Sequence, residues 1–124
     1  MKQVLATEQA PAAIGPYSQG IAAGETVYVS GQLPLDPATG AFPEGIAAQT
    51  AQSLKNIQAI LAQQGMTLAN VVTTTVFLAD IYDFAEMNKV YGEFFTQPYP
   101  ARSAVQVAKL PKDAPLEIEC IAVK

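Results

Sequence analysis

The spacing of apolar residues switches along this chain between a strand period and a helical period, and this switch constrains the fold more than any other feature. At residues 46–64, apolar side chains recur every three or four positions opposite a glutamine-rich polar side, which predicts an amphipathic helix stopped by Gly65. A second helical period covers residues 84–94, where Asp83 followed by Glu86 resembles a capping box. We therefore predict two helices.

The remaining segments have the composition of short strands and turns. Apolar and β-branched runs predict six strands, at residues 3–6, 18–23, 26–30, 71–79, 103–107 and 116–123. Gly24 predicts a hairpin turn between the second and third strands, and Gly31 is expected to end the third. Three prolines and two glycines indicate an ordered loop at residues 33–45. The order β-β-β-α-β-α-β-β predicts one α+β domain over residues 1–124, with both helices on one face of the sheet.

The sheet face away from the helices is expected to need a cover. Half of the residues are hydrophobic and only 15% are charged. The strands therefore carry more apolar side chains than one face packed under two helices can bury. We predict that copies of the chain associate through the opposite face.

Composition excludes several classes of chemistry. The chain has no histidine and a single cysteine, Cys120, so neither a structural zinc site of about four Cys or His ligands nor a His-activated nucleophile is possible. The net charge of −4 and the scattered cations disfavour a nucleic-acid partner. A structural zinc site is therefore not expected, and Cys120 is interpreted as a small core residue.

Composition also bears on location. No segment approaches the roughly 20 apolar residues of a membrane span, and the first residues lack the apolar run of a signal peptide. A single cysteine that forms no intrachain disulfide fits a reducing compartment. We expect a cytoplasmic protein without a membrane partner.

A few polar residues stand out as candidates for chemistry. Arg102 is the only arginine and follows a proline-rich turn. A guanidinium can form two parallel hydrogen bonds with a carboxylate, so Arg102 is a candidate for binding a carboxylate ligand. A surface salt bridge is an equally good interpretation of this residue. Glu117 and Glu119 alternate with apolar residues and share one sheet face, where a covered carboxylate would have a raised pKa and act as a base or acid. A solvated strand face explains both carboxylates without any function, and alternation does not decide which of the two matters.

Four further positions have a structural interpretation that is favoured when each is taken alone. The Ser30-Gly31 pair lets a ligand approach the backbone, or is an ordinary strand end. Tyr17 offers a hydroxyl to a ligand, or packs in its loop. Asn88 borders the second helix's apolar stripe, where a buried amide needs partners; bracing the preceding loop is slightly preferred over binding a ligand.

Together these segments resemble the Rid family, also called YjgF, over essentially the whole chain. The matching motifs are Ala12-Ala13-Ile14-Gly15-Pro16-Tyr17-Ser18-Gln19, Val29-Ser30-Gly31-Gln32-Leu33-Pro34, Asn88-Lys89-Val90-Tyr91, Pro100-Ala101-Arg102-Ser103 and Leu116-Glu117-Ile118-Glu119. The resemblance implies a chorismate-mutase-like α+β fold with a mixed six-stranded sheet. It also implies a homotrimeric barrel with a cleft at each subunit interface. The last strand should lie between the strands at residues 26–30 and 71–79, so that the loop 109–115 crosses over a strand.

The resemblance also implies an activity. Active Rid members hydrolyse 2-aminoacrylate and 2-aminocrotonate, through their imine tautomers, to 2-oxo acids and ammonia without a cofactor. By this resemblance Arg102 clamps the substrate carboxylate and Glu117 activates water. The other matched pocket positions are Tyr17, Ser30, Gly31 and Asn88, with the Ala104 backbone as a second donor and Tyr91 as a weaker candidate for the wall.

One departure and two alternatives accompany this interpretation. Many deaminating members carry a cysteine where this chain has Ala104. The change has no effect if this position acts through its backbone N–H, and it matters if the thiol shapes substrate choice or redox behaviour. The alternative to an enzyme is a non-catalytic, regulatory trimer that binds small 2-oxo acids in the same clefts. The presence of both Arg102 and Glu117 favours the enzyme, because binding a carboxylate needs no water-activating acid. RNA cleavage, attached to some relatives, is disfavoured by the acidic charge and the missing histidine.

Overall fold

The computed structural model describes all residues, 1–124, as one six-stranded sheet with two helices. The strands are β1 Lys2–Leu5, β2 Gly20–Ala23, β3 Thr26–Gln32, β4 Val71–Leu78, β5 Ala101–Gln106 and β6 Leu116–Val123; the helices are α1 Ile46–Ala62 and α2 Phe84–Phe94. In space the strands run β1-β2-β3-β6-β4-β5. The β4–β5 pair is parallel and every other pair is antiparallel. The expected mixed sheet, with the last strand between β3 and β4, is confirmed.

Both helices cover the same face of the sheet, as predicted. The apolar stripe of α1 packs on alternate residues of the central strands, and these side chains are almost fully buried: Val27, Leu54, Ile57, Ile60, Leu61, Val76, Leu78, Leu116 and Ile118. Burying one such side chain contributes about 1.5–3 kcal/mol, so this layer dominates the stability of the domain. Cys120 lies in the same core, where burial raises its pKa to about 12, so the expectation of a structural cysteine is confirmed.

The opposite face of the sheet remains uncovered. One row of apolar side chains crosses four adjacent strands, because Val4 pairs with Ile21, Ile21 with Tyr28, and Tyr28 with Ile121. Val4 is 60% exposed and Tyr28 is 49% exposed. This apolar row fits the predicted association through the sheet.

The predicted capping box of the second helix is wrong. Asp83 has helical backbone angles, and its side chain makes no capping hydrogen bond. A short 3₁₀ turn, Ile81–Asp83, precedes α2, and its cap is Asp80, whose side chain accepts a hydrogen bond from the Tyr82 N–H. The chain thus turns towards the helix three residues earlier than expected, because the extra turn brings its own capping carboxylate.

The other boundaries differ by a few residues. α1 ends at Ala62, not at residue 64, and Gly65 follows in the left-handed conformation (φ 69°) that a helix stop favours. β2 starts at Gly20, two residues later than predicted, because Ser18 and Gln19 belong to the preceding loop. β5 starts at Ala101, two residues earlier than predicted, since its pairing with β4 begins there.

The third strand does not end at Gly31, and this correction matters most for the site. β3 continues to Gln32, with Val29 opposite Cys120 and Gln32 opposite Ile118. Three steps along β3 therefore match two steps along β6, so the Ser30-Gly31 segment forms a β-bulge. A bulge re-aims the side chains and backbone of its residues, and bulges recur beside active sites.

Candidate active site

The first group of candidate residues surrounds Arg102 on the helix-covered side of the edge strand β5. Arg102 pairs with Thr74 of β4, and its Nη1 donates a hydrogen bond of 2.7 Å to Oδ1 of Asn88 on α2. The guanidinium carbon lies 4.7 Å from the ring centre of Tyr91 and 5.5 Å from that of Phe84. Two aromatic rings and one amide thus hold the guanidinium in place, and the contacts with the rings favour its charge.

Tyr91 is itself anchored below the arginine. Its hydroxyl and that of Thr74 are 2.7 Å apart in a buried hydrogen bond, and its ring packs against Phe95 with 4.5 Å between ring centres. Burial raises the pKa of Tyr91, although the bond to Thr74 and the nearby Arg102 charge act in the opposite direction. Tyr91 is therefore a neutral, fixed platform under the guanidinium at physiological pH.

Asn88 and Ala104 complete this group, which we call the arginine half-site (Asn88, Tyr91, Arg102 and Ala104). Asn88 is exposed and bonds to Arg102, so its interpretation as a buried brace for the preceding loop is wrong. Ala104 lies two residues beyond Arg102 on the same side of β5 and packs against the core. Phe84 and Thr74 also support this half-site, and their sequence context did not indicate it, because their contacts form only when α2 lies on the sheet.

The second group lines a broad groove of about 1200 Å³ on the other side of the sheet. Four predicted residues border it, and we call them the glutamate half-site: Tyr17, Ser30, Gly31 and Glu117. Tyr17 is 54% exposed, and its hydroxyl makes no hydrogen bond within the chain. This half-site therefore presents a phenol, a bulged backbone and a carboxylate to one open space.

Glu117 and Gly31 touch directly. A Cβ atom added to Gly31 would overlap the Glu117 carboxylate, so only glycine permits this approach. Burial raises the pKa of Glu117, and the neighbouring Glu119 carboxylate raises it further. Glu119 is exposed, whereas Glu117 is half-buried. The structure thus separates two carboxylates that alternation left equivalent, and Glu117 has the environment of an acid–base group.

The loop that carries Tyr17 is fastened by hydrogen bonds. The Ser30 hydroxyl donates to the Ser18 carbonyl at 2.6 Å, and the Ser30 N–H donates to the Gln19 carbonyl at 3.0 Å. The buried Gln19 side chain accepts from the Thr7 N–H at 2.7 Å, and its Nε2 lies 2.7–3.2 Å from three loop carbonyls, those of Thr7, Ala10 and Pro11. Gln19 is a residue that sequence reasoning missed. Its place in the Tyr17-Ser18-Gln19 motif was the available signal.

A buried amide on α1 supports the opposite wall of the groove. Asn56 is fully buried, and its Nδ2 donates to the carbonyls of Leu33 and Leu35 at 3.2 and 2.9 Å. Its Oδ1 accepts from Gln52, one turn away, at 2.9 Å. Leu33 and Leu35 border the groove, so this amide sets the path of the loop after β3. The helical pattern placed Asn56 on α1 without indicating this contact.

The two half-sites lie on opposite faces of the sheet. Arg102 pairs with Thr74, whose side chain is buried under the helices, whereas Glu117 pairs with Phe77, three residues along β4. Side chains alternate along a strand, so an odd separation places them on opposite faces. Within one chain, the Arg102 guanidinium and the Glu117 carboxylate therefore do not face each other.

The sheet topology, with a fixed arginine on one face and a half-buried glutamate on the other, defines a small α+β protein with two separate groups of candidate residues. The family model described as endoribonuclease L-PSP matches residues 7–124. The chain therefore belongs to that family, also called the Rid or YjgF family, and the resemblance found in the sequence is confirmed.

Three relatives illustrate the match. The 2-iminobutanoate/2-iminopropanoate deaminase of Salmonella typhimurium is 52% identical over all of this chain and 99% of its own length. The crystal structure of the YjgF gene product from Escherichia coli superposes with a TM-score of 0.94 at 50% identity, covering 98% of each chain. Escherichia coli TdcF with bound serine also superposes with a TM-score of 0.94, at 46% identity and 98% coverage of each chain. No helix of the present structure has the length and apolarity needed to cross a membrane.

Proposed function

We propose that this protein hydrolyses 2-iminobutanoate and 2-iminopropanoate, the imine tautomers of 2-aminocrotonate and 2-aminoacrylate, to 2-oxo acids and ammonia. Relatives about 50% identical over their full length are named as deaminases of these imines. Arg102 and Glu117 supply the two functions that the reaction needs, a carboxylate clamp and a base for water.

The active site is shared between subunits of a homotrimer. The observation that carries this proposal is the placement of Arg102 and Glu117 on opposite faces of one sheet. A substrate of four carbons cannot contact both within a single chain. The arginine half-site of one subunit facing the glutamate half-site of the next makes each site complete, and a closed three-fold ring contains three such sites.

Arg102 holds the substrate by its carboxylate. Its Nη1 already donates to Asn88, which leaves Nη2 and Nε to form paired hydrogen bonds with a planar carboxylate. The Phe84 and Tyr91 rings fix the guanidinium before the substrate arrives, so less conformational entropy is lost on binding. The Gly31 and Ala104 backbones and the Tyr17 hydroxyl surround the rest of the small ligand.

Glu117 performs the proton transfers. A water oxygen attacks the carbon of the protonated imine and forms a C–O bond, the electron pair of the C=N π bond moves to nitrogen, and Glu117 accepts one water proton, giving a neutral carbinolamine. Glu117 then returns this proton to the nitrogen, the C–N bond breaks and ammonia leaves. The hydroxyl proton of the carbinolamine passes to Glu117 as the carbonyl of the 2-oxo acid forms, and release of that proton to the departing ammonia restores the carboxylate. The raised pKa of Glu117 brings its protonated and ionised forms closer in free energy, as a group that both accepts and donates a proton requires.

The remaining parts of the proposal follow from this reaction. Water is the only co-reactant that the balance of atoms requires, so the reaction needs no cofactor. Residues 1–124 act as a single domain. We place the protein in the cytoplasm, where pyridoxal-phosphate-dependent dehydratases release these imines. RNA cleavage forms no part of the proposal, because the chain lacks histidine and carries a net charge of −4.

A subunit-mixing experiment tests both the reaction and the shared site. A serine or threonine dehydratase generates the imine, semicarbazide traps it, and the active protein suppresses formation of the semicarbazone derived from the imine. Arg102→Ala and Glu117→Gln should each be inactive as homotrimers. Unfolded together in equal amounts and refolded, they should regain about one quarter of the parent activity, because one site in four then pairs an intact arginine with an intact glutamate.

The outcomes separate the proposals. No rescue in confirmed mixed trimers would contradict the shared site while leaving the reaction intact. An inactive parent protein that still binds 2-oxobutanoate would contradict the enzyme and favour the non-catalytic, regulatory ligand-binding trimer.

A further inference from the structure

The charges that border the groove are unbalanced. Four carboxylates line it, those of Glu8, Asp36, Glu117 and Glu119, and the single cation among the lining residues is Lys112. A small carboxylic acid that enters this space meets a net negative field, which opposes its approach. The groove alone is thus a poor entrance for an anion.

Lys112 occupies an unusual backbone conformation at this position. Its φ and ψ are 58° and 22°, and Asp113 is also left-handed, with a φ of 53°. Glycine adopts this conformation without strain, whereas lysine does not. Strained residues of this kind concentrate at ligand-binding sites, where the surrounding structure holds them in place.

The surrounding turn explains how the conformation is held but not why lysine occupies it. The Asp113 and Ala114 N–H groups each donate to a carbonyl three residues earlier, at 3.1 Å, and Lys109 forms an ion pair with Asp113. Lys112 itself forms no ion pair within the chain, although four carboxylates border the same groove. Its ammonium is therefore free for a ligand.

We propose that Lys112 is a carboxylate-guiding residue, which draws the anionic end of the substrate into the acidic groove before Arg102 of the neighbouring subunit binds it. This inference rests on the proposed function for the identity of the ligand. Lys112 acts on approach and binding, and the proton transfers at Glu117 do not involve it. It is a positioning residue, so its removal should raise KM and leave kcat unchanged.

The test compares four variants in the semicarbazide assay at low and high ionic strength. Lys112→Asn removes the charge and keeps a residue that tolerates the left-handed conformation, and Lys112→Gly removes both charge and strain. Both should raise KM about fivefold at low ionic strength, and the effect should shrink at high salt, where charge interactions are screened. Lys112→Arg should keep the parent KM. Lys55→Gln, which removes an equal charge from the exposed side of α1, is the matched control and should also keep it.

Binding of 2-oxobutanoate, measured by calorimetry, gives a readout that does not depend on catalysis. Lys112→Asn should weaken this binding by a similar factor. If Lys112→Asn kept the KM and the 2-oxobutanoate affinity of the parent protein at low salt, the inference would be overturned. The same holds if Lys112→Arg raised KM as much as Lys112→Asn does. An inactive parent whose 2-oxobutanoate affinity still depends on Lys112 would contradict the proposed reaction and leave the guiding role standing.

Discussion

Arg102 and Glu117 lie on opposite faces of one sheet, although both pair with the same strand. Their partners on β4 are Thr74 and Phe77, an odd number of positions apart. In the proposed trimer, this arrangement gives each chain an arginine facing one neighbour and a glutamate facing the other. If the site is shared between subunits as proposed, activity should depend on subunit contacts as strongly as on the two residues.

Substitution of Gly31 by alanine should inactivate the protein without unfolding it. The new methyl group would occupy the position of the Glu117 carboxylate, so the base must move by about an ångström, a shift that costs on the order of a hundredfold in rate. The drop should appear in kcat measured with the dehydratase-coupled assay. Gly92→Ala is the control, because a Cβ there meets no neighbour. An active Gly31→Ala enzyme would show that Glu117 does not need its observed position.

Asn88 should affect substrate binding because its neutral amide orients Arg102 without neutralising the guanidinium charge. Asn88→Ala removes one hydrogen bond and should raise KM several-fold, since the guanidinium loses part of its fixed orientation. Asn88→Asp preserves the geometry but places a carboxylate against the guanidinium, where it competes with the substrate. The aspartate variant should therefore have the higher KM. Equal KM values for the two variants would contradict a clamp that acts through its charge.

The acid limb of the pH–rate profile should respond to Glu119. Glu117 must be ionised to accept a proton from water, so activity is lost as pH falls through its raised pKa. Glu119→Gln removes the repulsion that contributes to this shift and should move the limb to lower pH. The movement is partial, because burial is the larger cause and remains. Glu25→Gln, at an exposed turn, should leave the limb in place.

Glu117→Gln should make the protein more stable at neutral pH while removing activity. A carboxyl whose folded pKa is raised favours the folded state when protonated, and this contribution is lost as pH rises through the folded pKa. Glutamine has no charge to desolvate, so the melting temperature should exceed that of the parent at pH 7. The difference should vanish below about pH 4, where the parent carboxyl is protonated in both states. A lower melting temperature for the variant at pH 7 would contradict the raised pKa.

Local sequence patterns determined much of this protein. Apolar periodicity identified both helices, and apolar and β-branched runs identified all six strands, because these patterns reflect element type within a short stretch of chain. Alternation likewise placed Glu117 and Glu119 together on the face away from Cys120. The motifs around Tyr17, Arg102 and Glu117 identified the family and the set of candidate residues.

Tertiary structure decided how those candidates are arranged. The β-bulge at Ser30-Gly31 depends on the register between β3 and β6, two strands more than 80 residues apart, which no local period encodes. The contact of Glu117 with Gly31 and the stacking of Arg102 on Tyr91 arise from that same long-range packing. The division of the site between two faces follows from strand pairing in the sheet, because alternation fixes a side chain's face only once the partner strand and register are set.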